Sequence, residues 1–471
     1  MDKTDTAFVQ ASPILAGPIP PAAPLPFFKY LRTVRNNAIA VFHQDVFNEW
    51  IIETRVWKLH TFIVNDPAGI KHVLVDNADN YIKGNIEPHI SGAESGRFVA
   101  GEGEEWRERR RTMSSSFDYR SIAGNSSIIL DAAQALLARW NALPQGTALE
   151  VFAEMATMTL EIILRIIFSS DSAELAPIMD RTFRRNQPER VLDLFDFVPL
   201  LDRPWAAYKR HKGRRSFRHF NESIDRLSAQ RTRERTHSGD DLLGRLIREK
   251  DAETGRSLSA EEIHGQIITV VGAGHQSVAL GLTWIWYLLS QHPLQEAVLH
   301  AELDRVLAGR VPALDDLARL PYTRMVLEET LRLYPPFPTM AWRGALADDE
   351  VCGVKIPKGA TVSIAPWVLH RHKKLWDHPE QFDPERFSPD RSAGRSRYAY
   401  LPFGTGPRVC IGASFAMTEM MLVLATLAQR YRLRLVPGQK VEPQGLISLR
   451  PRYGLKMTVI EDGRGEPHPR Q

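Results

Sequence analysis

Cysteine is nearly absent: the 471 residues contain only Cys352 and Cys410. Two thiols cannot build a disulfide scaffold, a four-cysteine zinc site or a four-thiolate iron–sulfur cluster, so any cysteine chemistry falls to a single thiol. The scarcity also fits a reducing compartment, and a cytoplasmic location is expected. An excess of charge of one sign is missing as well. Sixty Lys and Arg against 56 Asp and Glu leave a net charge of +4, too little to argue for nucleic acid. The surplus reads either as dispersed surface arginine or as a basic patch for an acidic protein partner. The first residues, MDKTDTAFVQ, lack the basic start and apolar stretch of a secretory signal, and no N-terminal membrane anchor is visible. No repeat of about 20–50 residues occurs, and no long polar linker divides the middle of the chain.

What remains is ordinary globular material, with 43% hydrophobic and 25% charged residues, in a chain long enough to bury a large core. Six of the 31 prolines fall between Pro13 and Pro26, which predicts an extended leader on the surface. The segment from Ile267 to Leu289 is long and apolar enough to imitate a transmembrane helix. It carries His275, Gln276 and Ser277 at its centre, and a lone mid-chain span would strand large polar halves on opposite sides. A buried helix is therefore expected, and Ser259 followed by Glu262 supplies a capping-box start. Helices are also expected over 130–168, 208–235, 294–307, 322–334 and 412–431. Trp57, Leu59, Thr61 and Ile63 alternate with Lys58, His60 and Phe62 as in a strand. Residues 351–362, broken by Gly353, Pro357 and Gly359, read as a hairpin in which Cys352 is a small apolar filler. The expected organisation is a leader over 1–23, one large mainly helical domain with a smaller β region over 24–460, and a polar tail over 461–471. The basic run Lys209, Arg210, Lys212, Arg214, Arg215, Arg218 reads as a solvated helix face.

Two glycine-containing motifs compete for the chemistry. Val270-Val271-Gly272-Ala273-Gly274 resembles the opening of a dinucleotide-binding turn, but Ser277 stands at the third position and no second strand follows. The stretch from Phe403 to Gly412, FGTGPRVCIG, is more specific. It sets Cys410 in a glycine-rich loop leading into an apolar helix, where backbone N–H groups and the helix dipole favour a thiolate. Gly406 and Gly412 would let the backbone pass close to a flat ligand, and Arg408 adds a cation two residues from the sulfur.

This loop resembles the haem-binding segment F-x-x-G-x-R-x-C-x-G of the cytochrome P450 family at every fixed position. Three further resemblances follow the family's order. Trp106 and Arg110 look like its W-x-x-x-R pair, Glu329 and Arg332 like its E-x-x-R helix followed by Pro335 and Pro336, and Pro384-Glu385-Arg386-Phe387 like its P-E-R-F segment. Glu329 and Arg332 share a helix face and can pair. The resemblance places Arg386 with them in a buried network that holds the cysteine loop.

The resemblance implies a single helical haem domain, with a long helix across the haem and the cysteine loop on its proximal side. The cofactor would be haem b, with Cys410 as iron ligand, Trp106, Arg110, Arg343 and Arg408 at the propionates, and Phe403 opening the loop. The implied activity is a soluble monooxygenase acting on a hydrophobic small molecule. Its NAD(P)H-derived electrons would come from a separate ferredoxin or flavodoxin with its reductase, docking on a basic face near Arg107, Arg109 and the cysteine loop. The central helix departs from the family's A-G-x-[DE]-T: here it reads Ala273-Gly274-His275-Gln276-Ser277. Ala273 and Gly274 would leave a gap for O2, Gln276 replaces the acid, and Ser277 keeps a hydroxyl for a proton relay. His275 could titrate near neutral pH, but on this helix it is expected to face away from the haem. The missing acid leaves open a peroxygenase or isomerase of the same haem class. A dinucleotide oxidoreductase using Gly272 and Gly274, and a non-enzymatic haem protein, are the competing classes. By resemblance, residues 86–99, 270–274, 336–340 and 446–448 would line an apolar substrate pocket.

Overall fold

The computed structural model describes residues 15–56, 59–83, 101–169, 241–339 except 249 and 252, and 341–461, with scattered positions between 175 and 231. Trp57, Lys58, Met340, the 86–99 segment, the basic run apart from Arg218 and half of the expected helix 208–235 lie outside the described residues.

Eight helices of ten residues or more are found among the described residues. They are α1 (Phe27–Asn36), α2 (Gly103–Ser114), α3 (Tyr119–Asn141), α4 (Val151–Phe168), α5 (Ala260–Gln291), α6 (Pro293–Leu307), α7 (Pro321–Leu333) and α8 (Ala413–Ala428). The apolar stretch is α5, and it starts where the capping box places it. The Ser259 hydroxyl accepts the Glu262 N–H at 3.3 Å and the Glu262 carboxylate accepts the Ser259 N–H at 2.8 Å. It is long and apolar enough to cross a membrane, yet 72% of its most apolar stretch is buried inside the protein. Around it pack α4, α7 and α8. Gly281 lets α8 approach, because a Cβ there would lie 2.7 Å from the Met420 sulfur. Trp284 stacks on Tyr334 at 4.2 Å and donates to the Leu449 carbonyl at 3.0 Å, joining α5 to the end of α7.

The smaller β region comprises β1 (Ile51–Val56), β2 (Leu59–Val64), β3 (Tyr81–Lys83), β4 (Ala148–Glu150), β5 (Ala341–Ala345) and β6 (Asp349–Val351). It continues with β7 (Val354–Ile356), β8 (Thr361–Ile364), β9 (Tyr431–Leu435), β10 (Pro443–Gly445), β11 (Leu449–Pro451) and β12 (Lys456–Glu461). The main sheet has the order β1-β2-β8-β5-β3, so distant parts of the chain share one layer. The proline-rich segment from Leu15 to Pro26 forms no helix and lies against the core. There Ala16 accepts the Tyr334 hydroxyl at 2.9 Å and Pro21 accepts the Gln44 N–H at 2.9 Å.

Three expectations need correction. The helix expected over 130–168 is two helices, α3 and α4, parted by a turn at Pro144–Gly146, where Gly146 takes φ +77°, and by β4. β4 pairs with β12, a contact that only the folded chain brings about. The hairpin expected over 351–362 closes earlier, as β6 and β7, while β8 leaves it to pair with β2 and β5. Cys352 is no filler: it is exposed in the β6–β7 turn with φ +48°, and Asp66 beside it raises its thiol pKa, as desolvation does more strongly.

Candidate active site

The cysteine loop folds back on itself before α8 begins. Cys410 N–H donates to the Phe403 carbonyl at 2.9 Å, and Gly404 N–H to the Leu401 carbonyl at 3.3 Å. Gly404 and Gly406 take φ of +72° and +73°, which only glycine adopts cheaply. Clearance for a flat ligand is not what Gly406 provides. A Cβ there would lie 1.9 Å from the Leu74 carbonyl oxygen, so its bareness lets the loop pack on the 72–76 turn. At Gly412 a Cβ would meet only Phe117, at 3.9 Å, an ordinary contact.

Cys410 is exposed, yet the protein around it desolvates the sulfur enough to push its pKa above the usual 9.0. The Gly412 N–H and the Arg110 guanidinium pull the other way, toward thiolate. The helix-start setting expected to depress the thiol is thus present but outweighed. Arg110 reaches the loop from α2, donating to the Val409 carbonyl at 2.6 Å. Trp106, one turn earlier and buried, lies under both guanidinium groups: Arg408 at 4.0 Å and Arg110 at 5.8 Å from its ring centre. Arg408 also donates to the Gly101 carbonyl at 2.7 Å and pairs with Glu102. Glu102 in turn accepts the Lys83 N–H at 2.6 Å, and Lys83 sits opposite Arg343 in the β3–β5 pairing. Arg343 is buried in that sheet, donating to the Trp342 carbonyl at 3.1 Å. Trp106, Arg110, Arg408 and Cys410 therefore come together, with Arg343 on the neighbouring strand. Glu102 was missed, because a carboxylate within an acidic run carries no signal of its own. Arg109 does not belong to an exposed basic face. It is buried, pairs with Glu105 and lies 3.6 Å from Glu262, whereas Arg107 is half exposed and paired with Asp79.

Behind the loop lies a fully buried ion pair. Arg332 donates to Glu329 at 2.6 and 2.8 Å, and both side chains are 0% exposed. Such a pair survives burial only if its other valences are filled. Arg332 also donates to the His370, Pro379 and Gln381 carbonyls at 2.8, 2.7 and 3.0 Å, and Glu329 accepts the Asp383 N–H at 2.9 Å. Arg386 joins as an ion pair at 3.3 Å and donates to the His378 carbonyl at 2.8 Å.

On α5, Ala273 is exposed in the middle of an otherwise buried helix. A Cβ at Gly274 would touch Ile163 of α4 at 3.3 Å, so its bareness serves the packing of α5 against α4. Ser277 Oγ donates to the Ala273 carbonyl at 2.7 Å, and Gln276 is half-buried. His275 is buried, its Nδ1 2.6 Å from the Val271 carbonyl, and burial pushes its pKa down to about 4, so it stays neutral near pH 7. A small pocket near the loop is walled by Phe117, Ile163, Ile166, Leu242, Val270 and Phe415, with Ser116, Asn125 and Arg245 adding polar atoms. Of the described pocket residues expected from the sequence, only Val270 lines it; Leu446 and Ile447 pack with Val34 and Ala38 instead.

No group of three or more His, Cys, Asp or Glu side chains among the described residues could hold a metal ion. A metal at Cys410 would have to bring most of its own ligands, and the lone sulfur with two arginines beside it fits a porphyrin-held iron. The cytochrome P450 family profile matches residues 18–457. The chain belongs to the cytochrome P450 family. This P450 is 33% identical over 88% of its length to pentalenene oxygenase of Streptomyces avermitilis, covering 91% of that protein. It is 32% identical over 85% of its length to cyclooctatin synthase of Streptomyces melanosporofaciens, covering 86% of it. It is also 32% identical to cyclooctat-9-en-7-ol 5-monooxygenase of the same organism, over 82% of this chain and 83% of that one. The crystal structure of the cytochrome P450DA haem domain superposes with a TM-score of 0.77 at 26% identity, over 97% of this chain and 100% of that one. This P450 is thus a haem enzyme and an oxidoreductase of the monooxygenase type, and the dinucleotide reading of Gly272 and Gly274 falls, both glycines lying inside α5.

Proposed function

We propose that this P450 carries haem b and inserts one oxygen atom of O2 into a hydrophobic, terpenoid-like small molecule. NAD(P)H-derived electrons would arrive through a separate ferredoxin or flavodoxin and its reductase. The observation that carries the reading is the setting of Cys410: one sulfur, faced by the Gly412 N–H and Arg110, in a loop pinned by the Phe403 carbonyl. Bound there, thiolate-ligated haem supplies the electron-rich iron that favours O–O cleavage, and coordination would hold the thiol deprotonated against the desolvation that raises its pKa. Trp106, Arg110 and Arg408 would take the carboxylates of the porphyrin, with Arg343 approaching from β5. The terpenoid class rests on the terpene-oxidising relatives and on the mainly apolar side chains of the pocket.

The distal residues supply proton handling. Ser277 holds its hydroxyl proton on the Ala273 carbonyl. Giving it up would require Oγ to accept a replacement from water, because Gln276 cannot ionise. That feature also favours a second reading, in which the enzyme takes peroxide or isomerises its substrate and needs no acid at this position.

The test is spectroscopic. The reduced, CO-treated protein should show the red-shifted Soret band of thiolate-bound haem, and Cys410→Ala should lose it; a wild-type protein without the band ends the proposal. Titration with cyclic terpenes should produce a spin-state shift, whereas oxygenation driven by peroxide alone, with none from NAD(P)H and redox partners, would decide for the second reading.

A further inference from the structure

Helix α2 carries Trp106 and Arg110 toward the cysteine loop, yet little apolar packing fixes its position. Seven of its twelve residues are charged, and Trp106 and Met113 are its only buried apolar side chains. Its other face is held by ions. Arg256 donates from Nε and Nη2 to Glu108 of α2 at 2.8 and 3.0 Å, and from Nη1 and Nη2 to Glu262 of α5 at 3.0 and 2.9 Å. One guanidinium thus grips two carboxylates from two helices, each through both oxygens, the geometry in which such pairs are strongest. Both carboxylates are largely buried, at 15% and 9% side-chain exposure.

The turn that presents Arg256 is itself built for the purpose. Asp251 accepts the Glu253 and Thr254 N–H groups at 3.1 and 2.7 Å, and its backbone N–H donates to the Arg256 carbonyl at 2.9 Å. Gly255 takes φ +69° to close the turn. Asp251 also receives Arg111 Nε of α2 at 3.2 Å, and the Thr254 hydroxyl donates to Glu108 at 3.1 Å. Glu262 meanwhile completes the capping box of α5. The acids are held ionised: hydrogen bonding from Arg256 lowers both Glu108 and Glu262, the latter to about 2.

We infer that Arg256 is a positioning residue for the haem: the 251–256 turn clasps α2 to the start of α5 and so sets where Trp106 and Arg110 stand over the cysteine loop. The inference rests on the proposed haem site. Removing a group that orients the residues holding a metal typically costs about 10-fold or more in affinity, and Arg256 would act in this way through the position of α2.

The experiment uses the haem-loaded enzyme. Arg256→Gln should pass its haem to excess apomyoglobin about 10-fold faster than wild type and should convert part of its CO-bound band to the form without thiolate. Arg256→Lys, which keeps the charge but not the double grip, should fall between the two. Arg310→Gln is the control. It breaks an equally close bidentate pair, with Asp316 at 2.6 and 2.5 Å, in a turn that makes no part of the site, and should leave haem retention unchanged. Loss of haem from Arg256→Gln at the wild-type rate, or equal acceleration in Arg310→Gln, overturns the inference. Failure of the haem reading itself would show instead as a wild-type protein with no thiolate-haem spectrum.

Discussion

His370 accepts the Leu401 N–H on Nε2 at 2.8 Å, while its own carbonyl accepts Arg332 Nη1 at 2.8 Å. This one residue, fully buried, therefore links the Glu329–Arg332 pair to the strand of chain that enters the cysteine loop two residues later at Phe403. Burial pushes its pKa down to about 3, so the ring is neutral with the proton on Nδ1, facing the Arg332 carbonyl at 3.3 Å. His370→Ala leaves a buried N–H without a partner and a hole beside it. It should cost about 2–4 kcal/mol of stability and raise the fraction of CO-bound protein lacking the thiolate band. Denaturant unfolding and the CO difference spectrum measure the two effects.

The same ring sets an acid limit. Its folded pKa lies below the unfolded value of 6.5, so the unfolded chain binds the extra proton, and the stability it contributes is lost as pH falls from about 6.5 toward 3. His275, lowered to about 4, acts in the same direction. Unfolding free energies taken between pH 7 and 4.5 should fall with pH, and less steeply in His275→Gln.

Glu419 behaves oppositely. It is buried on α8 with Oε1 lacking a partner, and desolvation raises its pKa well above 4.5. The folded state then binds the extra proton, so stability is full below pH 4.5 and declines as pH rises toward the folded pKa. Glu419→Gln, which imitates the protonated acid, should match wild type near pH 4 and exceed it at pH 8, the gap widening by at most ~1.4 kcal/mol per pH unit. Equal stability at pH 8 would mean that the carboxyl is ionised in the fold.

The two loop glycines should differ. Gly406→Ala must move the Leu74 carbonyl and hold alanine at φ +73°, lowering stability by more than about 1 kcal/mol. Gly412→Ala meets only ordinary contact and should melt close to wild type. Thermal melting of the two variants decides between packing on Leu74 and ligand clearance as the reason for Gly406.

At α5, Ser277→Ala removes the hydroxyl that would pass protons and should divert NAD(P)H consumption to peroxide. Gln276→Glu restores an ionisable group and should improve coupling. Product formed per NAD(P)H consumed is the readout, and no change in either variant rules out a relay through this pair.

Much of the site was legible locally. The Ser259–Glu262 box marks the start of α5, the spacing of Glu329 and Arg332 places them on one face, and the residues from Phe403 to Gly412 announce a presented thiolate. Each depends on neighbours within a turn or two of chain, where backbone geometry alone decides who meets whom. Four things needed the folded chain: the partner of Gly406, the bridge through His370, the tie of Glu102 to Arg408, and the split of α3 from α4 around a strand that pairs with β12. Three of these contacts join residues about three hundred positions apart and the His370 bridge spans more than thirty on each side, and close packing rather than local preference selects them. The thiol illustrates the difference. The sequence by itself determined that Cys410 alone could carry the chemistry, since Cys352 stands in no such loop. Only the tertiary structure decided its ionisation, because desolvation and the reach of Arg110 from α2 depend on what surrounds the sulfur in space.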